Sequence, residues 1–270
     1  MEEKITEGGA VTLLYVESRQ NPKVKQALSL FERKHRLQSG LFVFEGYKLA
    51  QEALRSGIRV ERVFACREEL LETLPEDTEG ILVPRELLTA MSGGVGGYDA
   101  LSVARIPAQR ALPSSPGLLV LAEGLQDPGN LGALLRTAEA MGLDGVVLAG
   151  CADLWNSKTV RASMGSVFRI PCEQTSDLPA RIRSLREQGV TVYAAAMHEP
   201  RDLILGKDPL AFPCAVVIGS EGRGLTAQTL EACDVCLRIP MAPPTESLNA
   251  AAAAAMLMWE MSRRKGELET

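Results

Sequence analysis

Two different rhythms of apolar and polar residues divide the chain. In the first part, "NPKVKQALSLFERKHRLQSG" carries a helix pattern with its charges on one face, "LFVFEG" reads as a strand, and "YKLAQEALRSG" as a second helix. Short strands follow near "VERVFAC" and "GILVP", with a helix start after Pro84. "MSGGVGGYDALSVARIP" is glycine-rich and then strand-like. These elements predict a small mixed α/β domain over 1–106, with 1–16 as a loose tail. Residues 107–116, rich in proline and serine, are the linker. Beyond them the rhythm changes to continuous apolar strands, "GLLVLAE", "DGVVLAG", "GVTVYAAAM", "CAVVIGS" and "VCLRIPM". Helical patterns over 130–141, 160–167, 178–188, 226–232 and 246–263 separate them. Buried strands alternating with helices predict a parallel sheet covered on both faces over 117–270, and ligands of such sheets bind beyond the carboxyl ends of the strands.

Composition narrows the classes. With 46% hydrophobic and 23% charged residues in 270, the chain has ordinary globular composition. No apolar run reaches membrane-spanning length, and "MEEKITEGGA" has neither the basic region nor the apolar core of a signal peptide, so a cytoplasmic protein without a membrane partner is expected. Six scattered cysteines do not form a disulfide scaffold. Only Cys233 and Cys236 have metal-like spacing, and without a second pair no metal site is expected. The net charge of −5 is unevenly spread: residues 17–67 hold eleven Lys/Arg against five Asp/Glu, whereas 111–270 hold fourteen against eighteen. A basic N-terminal surface of this kind can follow a phosphate backbone.

Three loops at predicted strand ends carry the candidate chemistry. In "LQDPGNLGALLRTAEAMG", Asp127-Pro128-Gly129 is turn chemistry and Asn130 is placed to cap a helix. Leu131, Leu134, Leu135, Ala138 and Met141 make the buried stripe of that helix, with Arg136 almost opposite. In "VVIGSEGRGL", three glycines in six residues permit close backbone approach, yet the pattern is neither a dinucleotide fingerprint nor a P-loop. In "LRIPMAPPTESLNAAAAAAMLMWEM", a proline corner leads into a helix starting near Thr245, with Ser247 and Asn249 in its first turn. The bulk-free run 250–255 lets another backbone or helix pack closely.

Taken in order, "DPGNLGALLRTAEAMG", "IGSEGRGL" and "IPMAPPTESLNAAAAA" resemble the three signature motifs of the SpoU, or TrmH, family of RNA ribose 2′-O-methyltransferases. "SKTVRASMGSVFRIP", 157–171, is similar to the segment that family carries between its first two motifs, and the N-terminal stretch resembles its ribosomal-protein-like RNA-binding domain. The resemblance spans roughly residues 17–265 and implies an α/β fold whose C-terminal segment threads a deep trefoil knot. It also implies S-adenosylmethionine as cofactor, lined by Gly219, Ile239, Met241 and Leu248, and a homodimer formed through the C-terminal domain. Pro243 and Pro244 stand where the family has glycines, which stiffens the turn after Met241.

The implied reaction moves a methyl group from a sulfonium to a ribose 2′-hydroxyl of RNA, with ribosomal RNA preferred over transfer RNA. By the same resemblance Arg136 is the catalytic arginine, Asn130 positions its loop, and Glu221, Ser247 and Asn249 are the remaining polar site residues. Arginine keeps its proton in nearly every setting, which favours Arg136 as a stabiliser of the developing alkoxide and phosphate anchor, with a direct base role as the alternative. For RNA the candidates are Arg19, Lys23, Lys25, Arg33, Lys34, Arg36 and Arg161, the last equally readable as a structural salt bridge. Two other readings compete: an RNA-binding protein on a methyltransferase scaffold that has lost its activity, and a nucleotide-using α/β enzyme, which the missing fingerprints oppose.

Overall fold

Apolar strands screened by amphipathic helices account for both halves of the chain. The structure, a computed structural model, describes residues 2–5, 13–92, 97–196, 202–220, 222–244 and 247–266. They form two units: the chain up to Ala108 together with Trp155–Phe168, and Gln109–Leu154 together with the chain from Arg169 onward.

The first unit runs β1 (Glu2–Ile5), β2 (Leu13–Val16), α1 (Pro22–Ser29), α2 (Arg33–Ser39), β3 (Leu41–Glu45), α3 (Tyr47–Arg55), β4 (Val60–Ala65), β5 (Glu79–Leu82), α4 (Arg85–Met91) and β6 (Ala100–Arg105). Its described strands form one mixed sheet in the order β1-β2-β5-β4-β6-β3. Where a loose tail is expected over 1–16, Glu2–Ile5 pairs antiparallel with Leu13–Val16, which in turn pairs parallel with β5. The apolar run at Leu13, Leu14 and Val16 has the content of a strand, and Leu14 and Val16 are buried in the core.

In the second unit β7 (Leu118–Glu123), α5 (Pro128–Ala140) and β8 (Gly145–Ala149) come first. The chain then contributes α6 (Ser157–Ala162) to the first unit, and returns with β9 (Cys172–Thr175), α7 (Leu178–Glu187), β10 (Thr191–Ala194), β11 (Leu203–Ile204), β12 (Cys214–Ile218), α8 (Ala227–Ala232), β13 (Val235–Arg238) and α9 (Ala250–Lys265). Every described strand pair here is parallel, in the order β11-β13-β10-β12-β7-β8-β9. All the strands therefore end at one edge. β7, β8 and β9 build outward in one direction, and the chain then crosses back to place β12 between β7 and β10. Such a reversal of strand order is where open parallel sheets bind ligands.

Aromatic packing explains why 155–168 joins the first unit. Phe42 and Phe44 lie on one face of β3, and Phe42 sits 4.8 Å from Trp155 and 6.2 Å from Phe168 between ring centroids. Arg161 completes the attachment: its Nη1 donates to the Tyr98 hydroxyl at 2.8 Å, its guanidinium lies over the Tyr98 ring, and it stands 3.8 Å from the buried Glu45 carboxylate.

Burial raises the Glu45 carboxyl above its ordinary value of 4.5, with Arg161 opposing the shift. A raised pKa means that the folded chain binds this proton more tightly than the unfolded one. Its contribution to stability is thus full below the unfolded value and is lost as pH rises through the folded value. Replacement by glutamine, neutral throughout, is expected to leave the thermal midpoint unchanged near about pH 4 and to raise it by a few degrees near about pH 8. Thermal unfolding of Glu45→Gln across that range checks this; an equal effect at both ends would contradict it.

Candidate active site

The loop after β7 begins at Gly124, whose φ of 70° is left-handed, and Gln126 Nε2 bridges to the Gly150 carbonyl at 2.5 Å. Helix α5 is capped by Asp127, whose Oδ1 accepts from the Asn130 N–H at 2.7 Å, with Pro128 in the first helical turn. The cap expected of Asn130 thus belongs to Asp127: proline has no N–H to satisfy and is pre-set for the first turn, so the capping carboxylate falls just before it.

Freed from capping, the Asn130 side chain accepts from Asn249 Nδ2 at 3.1 Å. Asn249 caps α9, its Oδ1 accepting from the N–H groups of Ala251 and Ala252 at 3.0 and 3.2 Å. Helix α9 therefore starts at Ala250 instead of near Thr245, because the asparagine takes the orphan N–H groups and its own backbone stays outside the helix. Ser247 and Leu248 consequently lie in the loop, both exposed. One hydrogen bond thus joins the first and third loops.

The loop after β12 folds back sharply: the Gly224 N–H donates to the Ser220 carbonyl at 2.9 Å, and Gly224 has φ of 64°. Gly219 has no room for a side chain, since a Cβ there would lie 2.6 Å from the Leu225 nitrogen and overlap the backbone of Gly224. Glu221 lies outside the described residues.

These turns enclose a cavity of about 210 Å³ beyond the ends of β10, β12 and β13. Gly219, Ile239, Met241 and Leu248, singled out from the sequence, all line it, as does Ser247. Sequence reading missed Ala195 and Ala196, which follow β10, and Ser220. Alanines at a strand end carry no signal of their own. The lining residues are small or apolar apart from Ser220 and Ser247, a composition suited to a partly apolar small ligand. Pro243 and Pro244, joined by a cis peptide, lie between the lining residues Met241 and Ser247.

Arg136 is exposed on α5 and, among the described residues, has no hydrogen bond or ion pair. The opposite face of α5 is buried through Leu131, Leu134, Leu135 and Ala138. No group of three or more His, Cys, Asp or Glu among the described residues could hold a metal ion. Burial pushes the Cys233 thiol up to about 12 and that of Cys236 above its ordinary value, the chemistry of protonated thiols packed beside a strand.

In the first unit the expected basic surface contracts. Arg36 is buried and donates to the carbonyls of Leu30 and Phe31 at 2.7 and 2.9 Å, where it closes the end of α1. Lys23 is paired with Glu79 at 2.5 Å, a carboxylate that also accepts from Arg62 at 3.1 Å. Each spends its charge on an internal acceptor. Arg161 is likewise engaged by Tyr98 and Glu45. Arg19, Lys25, Arg33 and Lys34 are exposed.

Fold and cavity together define an α/β protein with a ligand pocket at the strand-order reversal of a parallel sheet. Residues 117–259 match the SpoU rRNA Methylase family, and 21–94 match the MRM3-like substrate binding domain. The chain belongs to the SpoU rRNA methylase family. It is 35% identical, over 91% of its length and 98% of the relative's, to the 23S rRNA (guanosine(2553)-2′-O)-methyltransferase RlmP of Bacillus subtilis. The AdoMet-bound rRNA methyltransferase of Sinorhizobium meliloti is similar in structure, with a TM-score of 0.83 and 28% identity, over 96% of this chain and 99% of the other. So is the SpoU methyltransferase AviRb of Streptomyces viridochromogenes in complex with AdoMet, with a TM-score of 0.80 and 28% identity over 91% and 98%.

Because a Cβ at Gly219 overlaps backbone, Gly219→Ala is expected to displace the 219–225 loop and weaken S-adenosylmethionine binding by about a hundredfold, or about 2.7 kcal/mol. Calorimetric titration of the folded variant checks this; wild-type affinity would show that the loop is not part of the cofactor site.

Proposed function

We propose that the protein transfers a methyl group from S-adenosylmethionine to a ribose 2′-hydroxyl of ribosomal RNA. The observation that carries this reading is the cavity at the ends of β10, β12 and β13, lined by residues of the second and third loops. The third of these loops is bonded to the first through Asn249 and Asn130.

When bound, the cofactor supplies an electrophilic methyl group on a sulfonium. Gly219, Ile239, Met241 and Leu248 hold it, largely through apolar contact and backbone. Arg136 acts on the other reactant. Its guanidinium has no internal partner among the described residues, so it is available to an RNA phosphate and to the oxyanion that develops as the 2′-hydroxyl loses its proton. Guanidinium groups keep their proton in nearly every protein setting, which favours Arg136 as an electrostatic stabiliser over a base. The Asn130–Asn249 bond keeps the helix that bears Arg136 in register with the loop that bears Leu248, and Ser247 orients the substrate, a role the family resemblance also gives Glu221. The exposed Arg19, Lys25, Arg33 and Lys34 of the first unit follow the RNA backbone.

Several finer features belong to the same reading. The C-terminal segment threads a trefoil knot; supporting this are the family and the placement of the late strand β12 between β7 and β10. Two chains associate through α9, where the large apolar residues Met256 and Trp259 are 43% and 50% exposed one turn apart. The protein acts in the cytoplasm, where its RNA is; no described helix is long and apolar enough to cross a membrane. The Pro243-Pro244 corner is compatible with activity, because the pocket is lined by residues on either side of it.

Arg136→Ala is expected to bind S-adenosylmethionine as the wild type does and to lose methyl transfer by about a hundredfold or more in single turnover, the scale of losing one oxyanion-stabilising group. Transfer within about threefold of wild type would remove Arg136 from the chemistry. Trp259→Glu is expected to sediment as a monomer where the wild type sediments as a dimer, and an unchanged sedimentation coefficient would exclude α9 as the interface.

A further inference from the structure

Glu123, the last residue of β7, sits where the first loop begins, and no motif draws attention to it. Its side chain nevertheless gathers three hydrogen bonds from the far end of the second loop. Oε2 accepts from the Thr226 N–H at 2.8 Å, and Oε1 accepts from the Thr226 and Thr229 hydroxyls at 2.9 and 2.7 Å. Helix capping alone does not call for this arrangement. Thr226 already caps α8 by accepting from the Thr229 N–H at 3.3 Å, a job that needs no carboxylate.

What the carboxylate adds is a clasp across the loop. β7 and β12 pair in parallel up to Ala122 and Ile218, so the backbone leaves the sheet at Gly219 beside Glu123. The chain then makes its tight excursion, closed internally by the bond from Gly224 to Ser220, and returns at Thr226 to the same carboxylate. The described residues of the loop are thereby held at Ile218 and Thr226 and joined to each other by the bond between Gly224 and Ser220. Three residues of this excursion, Gly219, Ser220 and Gly224, line the cavity. Charge-assisted bonds to a carboxylate are among the stronger ones, and a glycine-rich loop has the most conformational freedom to lose.

We infer that Glu123 is a positioning residue for the cofactor loop: its bonds to Thr226 and Thr229 hold Gly219, Ser220 and Gly224 in the arrangement that receives S-adenosylmethionine. The inference rests on the cofactor reading of the cavity. It places cross-links at both ends of the β7-to-α5 connection, Glu123 at the end of β7 to the second loop and Asn130 in the first turn of α5 to the third. It also assigns preorganisation of the cofactor loop to a residue that does not line the cavity.

The test is calorimetric titration of the full chain with S-adenosylmethionine, comparing wild type, Glu123→Ala, Glu123→Gln and Thr229→Val. Binding of total ribosomal RNA by filter retention is measured on the same samples. Glu123→Ala is expected to raise the cofactor Kd by about tenfold or more, equivalent to about 1.4 kcal/mol. Glu123→Gln, which keeps an acceptor oxygen, falls between wild type and alanine. Thr229→Val, near in shape and lacking one donor, gives a severalfold loss and serves as the readout should Glu123→Ala not fold. RNA retention stays at the wild-type level in all folded variants. Cofactor affinity within about twofold of wild type in the variants, whatever their thermal midpoints, would overturn the clasp and leave the proposed function standing. Failure of the wild-type chain itself to bind the cofactor would overturn the proposed function, and this inference with it.

Discussion

Every feature of the second unit depends on the parallel pairing of β7 with β12. Five residues of each strand, Leu118–Ala122 against Cys214–Ile218, lie side by side and are almost wholly buried. Parallel pairing means that both strands end at the same edge, so the first and second loops start as neighbours although nearly a hundred residues separate them in sequence. Glu123 and Gly219 meet there because the register leaves them no other place. Both faces of these two strands are buried, as in a parallel sheet covered by helices on each side.

From that pairing the site assembles by short-range chemistry. Proline after Asp127 moves the helix cap back one step and releases Asn130. Asparagine at position 249 caps α9 with one atom and reaches Asn130 with another. Glycine at 219 lets the second loop double back against its own backbone. None of these residues is chemically reactive. Their joint effect is a pocket built mostly from small and apolar residues, with the Arg136 guanidinium, unpaired among the described residues, on the adjoining helix. A methyl transfer that relies on alignment and charge stabilisation asks for little more.

The sequence made the parallel sheet legible, because five short apolar runs separated by helices have few other solutions. It also marked the pocket, because the resemblance of the second and third loops to the family's motifs pointed to Gly219, Ile239, Met241 and Leu248. Less legible were the roles of side chains that satisfy backbone groups. Asn130 and Asp127 are both good caps, and only the placement of Pro128 decides between them. Arg36 and Lys23 look like any solvated cations, because a linear sequence does not show that the Leu30 carbonyl or the Glu79 carboxylate is waiting nearby. The strand at Glu2–Ile5 went unseen because its charged residues carry no β signal without a partner. The attachment of 155–168 to the first unit rests on Phe42, Trp155 and Phe168, aromatics too far apart in the chain for periodicity to connect.

The central claim is that this chain methylates ribose and leaves the base untouched. The most direct measurement is incubation of the purified protein with methyl-labelled S-adenosylmethionine and unmodified ribosomal RNA transcript, followed by alkaline hydrolysis and nucleoside analysis. A 2′-O-methyl group blocks cleavage of the adjoining phosphodiester. The account therefore predicts label in an alkali-resistant dinucleotide that yields one 2′-O-methylnucleoside. Label released in a base-methylated mononucleotide, or no label in RNA from a chain that binds both cofactor and RNA, would contradict it.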